Sequence, residues 1–198
     1  MPMKGLWLGG DVTEYALYDD FSDGVYSSRT GSYSYGGVST NKMPIVPPDL
    51  PFPEWTVVAG APSVVAGELV MPANAVVSIP STFNVGTWEY KVRKGALGGV
   101  AGLDLYTGGV RKYSINLWEG GNCGIYDWVD MTWIITAAVG DSTLQKTIAT
   151  TRDGASNWEV FFDGASIGTA LDATTTTFDE IRLRATVQTI YFDDVRVY

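Results

Sequence analysis

Three short runs of the sequence set aromatic rings beside hydrogen-bonding groups on one side of an extended chain. In Gly102-Leu-Asp-Leu-Tyr106, a period of two puts Tyr106 with Asp104. In Tyr113-Ser-Ile-Asn-Leu-Trp118, Trp118 falls with Ser114 and Asn116. In Ile125-Tyr-Asp-Trp-Val129, Tyr126 falls with Trp128. Trp and Tyr rings stack on the C–H faces of sugars, while Asp and Asn bond the hydroxyls. Asp104, Tyr106, Asn116, Trp118, Tyr126 and Trp128 are therefore a candidate glycan-binding set. The same residue types dominate cores and subunit interfaces, and that alternative stays open.

Other chemistries find little support. The chain has no histidine, which removes Ser-His-Asp and Cys-His catalysis and imidazole-bearing zinc sites. Its one cysteine, Cys123, lies in a glycine-rich stretch without a cationic neighbour and reads as a small structural residue. A hydrolytic carboxylate pair would have to be improvised from Asp104 with Glu89 or Glu119. The glycines at 95, 98, 99 and 102 lack the Lys-Ser/Thr and the helix of a phosphate loop. A net charge of −9, with 13 scattered Lys and Arg, argues against nucleic acid. Nothing approaches the roughly 20 apolar residues of a membrane helix. The apolar patch near Met1 is also too short for a signal-peptide core of about 7–15 residues. The expected location is extracellular or in a virion, which needs no secretion signal.

The elements that must hold these residues are strands. Gly, Pro and β-branched residues interrupt every helical period. Trp88-Glu-Tyr-Lys-Val-Arg93 alternates most cleanly, with Trp88, Tyr90 and Val92 opposite Glu89, Lys91 and Arg93. Further strands are expected at 15–20, 56–59, 68–71, 75–79, 102–106, 112–118, 124–129, 133–139, 144–151, 158–162, 180–185 and 190–198. Turns fall at Asp153-Gly154 and Asp163-Gly164. The last strand has a phase conflict. Ile190 and Phe192 share one side, Val195 and Val197 the other. Either a bulge shifts the register or one carboxylate points inward. Residues 27–53 end in a proline-rich run that no central strand accepts. They are expected to be a covering lid or an arm that packs on a neighbouring subunit. The expectation is a single all-β domain over 1–198, a two-sheet antiparallel jelly-roll sandwich with an N-terminal segment at 1–14 and the extended Pro-rich arm or loop at 27–53.

Several of these segments resemble the concanavalin A-like lectin/glucanase superfamily, in its laminin-G-like and carbohydrate-binding-module-like branches. The chain opens with Tyr18-Asp-Asp-Phe-Ser-Asp-Gly24, continues with a Trp55–Leu69 element, and closes with the Trp158–Gly164 hairpin and Phe192-Asp-Asp-Val-Arg-Val197. The resemblance implies the jelly roll and would set the aromatic set on its concave sheet. It also implies a structural calcium ion between first- and last-strand carboxylates, here Asp19, Asp20, Asp23, Asp193 and Asp194. The alternative is that these aspartates cap turns and pair Arg182, Arg184 or Arg196. The superfamily's hydrolases carry Glu-x-Asp-x-x-Glu, and no Glu-x-Asp occurs in this chain. The expected function is a non-catalytic structural or adhesion protein, a virion or extracellular-assembly component that packs against copies of itself or other subunits and contacts glycans. A stand-alone carbohydrate-binding module or lectin is the alternative. A glycoside hydrolase or polysaccharide lyase is the distant one.

Overall fold

The computed structural model describes residues 17–22, 24–26 and 54–198. The 1–14 segment, Asp23 and the 27–53 arm or loop lie outside the described residues. Strands and turns account for the rest, and no helix occurs among the described residues.

Two antiparallel sheets face each other. One runs β13 (Ala165–Leu171), β12 (Asn157–Phe162), β11 (Lys146–Arg152), β6 (Gly86–Lys94), β15 (Ile190–Val197), β4 (Glu68–Met71) and β3 (Ser63–Val65), with β1 (Leu17–Asp19) beside the second half of β15. The other runs β10 (Thr132–Ala138), β9 (Asn122–Asp127), β8 (Val110–Leu117), β7 (Val100–Thr107), β14 (Glu180–Thr186), β5 (Val76–Pro80) and β2 (Thr56–Ala59). This is the two-sheet sandwich that the alternation predicts. One strand, β3, was not legible, because Ser63-Val-Val is too short to show a period. β13 was implied only by the hairpin turn at Asp163-Gly164, since Ala165-Ser-Ile-Gly-Thr-Ala-Leu171 has small residues where a strand usually shows bulk.

The core is aromatic. Trp88, Tyr90 and Val92 of β6 are fully buried, as their alternation requires. Trp88 packs 5.9 Å from Trp158, which lies 5.0 Å from Tyr113, and Phe178 stands edge-on to Trp88 at 6.0 Å. Each such ring contributes about 1.5–3 kcal/mol of burial. The Tyr90 hydroxyl bridges the sheets by donating to the Ile115 carbonyl at 2.9 Å. On one side β10 and β13 close together. Gly168 permits it, since a Cβ there would sit 2.8 Å from Ile135 Cγ2.

The phase conflict of β15 resolves as a bulge. Asp193 pairs with Lys91 but Arg196 with Glu89, so β15 carries one extra residue. Asp194 sits at the kink with φ +48°, a left-handed conformation that Asp tolerates better than most residues. Ile190 and Phe192 before it, and Val195 and Val197 after it, all reach the core.

Candidate functional site

The outward face of the seven-stranded sheet is made of rows of cross-strand neighbours. One row reads Arg182, Asp104, Ser114, Tyr126, Trp133 across β14, β7, β8, β9 and β10. The next reads Arg184, Gly102, Asn116, Gly124, Thr136. The alternation that buries Leu103, Leu105, Ile115 and Ile125 turns these residues away from the core. All six candidates from the sequence meet on this face. Asp104, Asn116 and Tyr126 stand in the two rows, and Tyr106, Trp118 and Trp128 lie two residues along their strands.

Asp104 forms the floor and is fully buried. Ser114 Oγ donates to it at 2.6 Å, and Arg184 donates through Nε at 2.9 Å and Nη2 at 3.3 Å. Arg111 Nη1 reaches it at 3.4 Å. The sequence reading made Asp104 a ligand for hydroxyls. The structure instead spends its oxygens on a serine and two guanidiniums, because a buried carboxylate must be paired. Burial opposes the charge on Arg184, but Asp104 outweighs it and raises the arginine's pKa above its ordinary value. Arg184 Nη2 also donates to Asn116 Oδ1 at 3.2 Å. Gly102 makes this possible, since a Cβ there would lie 2.4 Å from Asn116 Oδ1. Asn116 Nδ2 is buried with no acceptor.

Above this floor stands a rim of half-buried rings. Trp128 Nε1 donates to Ser114 Oγ at 2.7 Å, and the Arg111 guanidinium stacks on the Trp128 ring at 3.5 Å. Tyr126 lies 4.9 Å from Trp128 and 5.3 Å from Trp133, and Trp133 lies 5.6 Å from Trp118. These contacts are edge-on, so successive rings present faces in different directions. At the other end Arg182 covers Tyr106 at 3.9 Å and pairs Glu180 at 2.8 Å. A face of this kind can stack on apolar ring surfaces and offer guanidinium donors.

Arg111, Arg182, Arg184 and Trp133 belong to this face and were missed, and Ser114, which its spacing put here, was not among the candidates. Strict alternation puts Trp133 on the same side as Ile135, which is core. A register shift between them separates the two. The arginines come from other positions on β8 and β14, and no local spacing signals them.

The carboxylate pair needed for glycoside cleavage does not assemble around Asp104. Glu89 projects from β6 of the opposite sheet, and Glu119 is an exposed residue after β8. Cys123 is buried, and burial pushes its thiol up to about 12, as befits a core residue.

The described members of the calcium set do not fit a metal. Asp19 is fully buried and accepts from the Trp55 indole at 2.9 Å and the Phe21 amide at 2.9 Å. Asp20 accepts from the Ser22 amide at 3.0 Å. Asp194 is held by Lys91 and, at 3.1 Å, by Arg196, so two cations already occupy the space a calcium would claim. Asp193 accepts from the Asp194 amide at 2.8 Å. Among the described residues no three acidic or sulfur groups converge as a metal site.

No family model and no curated protein matches the chain. Solved structures do match it. The carbohydrate-binding module CBM66 from Bacillus subtilis is similar with a TM-score of 0.61 at 15% identity, over 73% of this chain and 95% of that one. The Bacillus licheniformis beta-glucanase gives 0.58 at 14% identity, over 72% and 91%. The metal-free carbohydrate recognition domain of Emp46p gives 0.55 at 13%, over 73% and 87%. At these identities the likeness concerns the fold alone, the two-sheet antiparallel jelly-roll sandwich described above.

Proposed function

We propose that the chain is a non-catalytic, lectin-like domain that binds carbohydrate on the outward face of its seven-stranded sheet. One observation carries the reading: Trp118, Trp133, Tyr126 and Trp128 form a continuous line of half-buried rings over a charge-paired floor. Rings kept at the surface, with guanidiniums stacked beside them, suit the C–H faces and hydroxyls of a sugar. Two of the similar structures are named for carbohydrate binding or recognition, which supports the same reading. The non-catalytic part rests on the ion-paired state of Asp104 and on the lack of a Glu-x-Asp strand. A glycan array followed by calorimetry tests it. Trp128→Ala, which removes a ring of the line together with its indole hydrogen bond to Ser114, should weaken binding at least tenfold in a protein that still melts cooperatively. An array without hits, or full affinity in the variant, refutes the reading.

A second reading, as a component of a virion or other extracellular assembly, is favoured by a different feature. Residues 55–67 carry no charge, and they include both edge strands on one side of the sandwich. Val57, Val58 and Val65 there are 41%, 48% and 57% exposed. Edges without charged guards are suited to pairing with another copy. The two readings are compatible, because this edge and the aromatic face are different surfaces.

A further inference from the structure

The opposite sheet has a recess of its own. Along β11 the outward residues Thr147, Ala149 and Thr151 are small. Their cross-strand neighbours are taller: Lys91 and Glu89 on β6, Phe161 and Glu159 on β12. The result is a trough with β11 as its floor. Two adjoining cavities occupy it, about 290 Å³ and 340 Å³, and Thr87 and Thr151 line both. Tyr198 closes one wall, bonded through its backbone to Thr87 and through its hydroxyl to Glu89 Oε2 at 3.3 Å. Phe161 forms the facing wall. Each volume sits near the lower end of the range for small-ligand sites, roughly 300 Å³.

From this lining we infer that the trough is a second carbohydrate-binding site, for an uncharged oligosaccharide. Three observations select that class. First, the backbone groups of β11 are already consumed by ladders to β6 and β12, so an extended peptide finds no strand edge to join. What remains is hydroxyls, ring faces and carboxylates, the groups that recognise sugars. Second, the nearby cations are engaged by protein carboxylates: Arg196 by Glu89 and Asp194, and Lys91 by Asp194. Arg152, at the far end, donates to the Asn84 and Thr175 carbonyls and to Ser156 Oγ. Third, Glu159 lines the trough and repels an anionic ligand, while Glu89 is already paired with Arg196. The ligand would lie along β11 with a ring against Phe161 and hydroxyls on Thr87, Thr151 and Glu89. The trough is on the other sheet from the aromatic line, so a protein with both sites could hold two glycan chains at once.

Amide chemical shifts during titration test the inference. The probes are neutral glucan hexamers, β-1,4 and β-1,3 linked, with an oligogalacturonate of the same length as the acidic control. A neutral hexamer should shift the Thr147, Ala149 and Thr151 amides. Those shifts should persist in Trp128→Ala, whose own site is on the other sheet. Ala149→Arg, which fills the trough, and Phe161→Ala, which removes its wall, should each raise the Kd for these shifts at least tenfold. Either variant suffices if the other fails to fold. No shift on β11 with either glucan, shifts lost in Trp128→Ala but kept in the folded trough variants, or tighter binding of the acidic oligomer overturns the inference. Shifts confined to β11, with none on the aromatic line, would leave the trough standing and sink the proposed function instead.

Discussion

Asp194 shows how one residue can look functional and be structural. Its carboxylate lies between Lys91 and Arg196 and also accepts from the Tyr18 hydroxyl at 3.2 Å. Burial alone would raise its pKa, but the Lys91 bond and the Arg196 charge outweigh that and hold it below the ordinary carboxylate value. A depressed carboxylate contributes stability above the unfolded-state value, and the contribution disappears as pH falls through the folded-state value. Asp194→Asn should therefore cost about 2 kcal/mol near neutral pH, and the cost should shrink as pH falls below the ordinary carboxylate range. Asparagine also accepts the left-handed backbone at this position, so the bulge survives the change. Thermal melts of both proteins across that range check the prediction, and a cost independent of pH contradicts it. The neighbouring Asp193 moves the other way: burial, and then the Asp194 charge, raise its pKa. It works against the folded state as pH rises through the carboxylate range, and Asp194→Asn relieves the part of this that the Asp194 charge causes.

At the scale of elements, the strands differ in how openly the sequence declares them. In β6 the polar and apolar sides are unmistakable, because the sheet has one face on the core and one on solvent. Asp104, Ser114 and Asn116 are also outward, yet fully buried, since arginines from neighbouring strands cover them. Alternation reveals the side a residue takes, not what lies over it. That is why the shared side of the six aromatic and polar candidates was legible while the arginines that pair Asp104 were not. Bulges hide more: the one on β10 separates Trp133 from Ile135, and a single extra residue leaves no mark in composition. The uncharged edges β2 and β3 lead to a prediction at this scale. Val65→Lys adds a charge at a position 57% exposed, so stability should change by less than about 0.5 kcal/mol. Light scattering of the wild type should show association rising with concentration, and the variant should remain monomeric. A wild type that stays monomeric throughout removes the edge-pairing reading.

For the whole molecule, the sandwich stands on packing. The burial pattern was not needed to infer it: the order of short alternating strands and turn signals already implied two layers. The calcium ion is where resemblance outran the residues. The likeness at both ends of the chain suggested it, but the cations that meet Asp194 come from β6 and from β15 itself, and local spacing does not show them. Chelation with EDTA is accordingly expected to leave the melting temperature unchanged, since a ligand bound only to the native state would stabilise it. A drop of several degrees would restore the metal.

β15 touches more of the sandwich than its length suggests. One flank pairs with β6, and the other is shared by β4 over Ile190–Phe192 and β1 over Val195–Val197. Three strands from the first half of the chain are thus joined by a piece that leaves the ribosome long after them. Until it emerges, the edges of β6, β4 and β1 wait unpaired beside greasy side chains. Nascent chains halted before Ile190 should therefore be wards of the chaperones, and the sandwich should snap shut only once β15 has emerged.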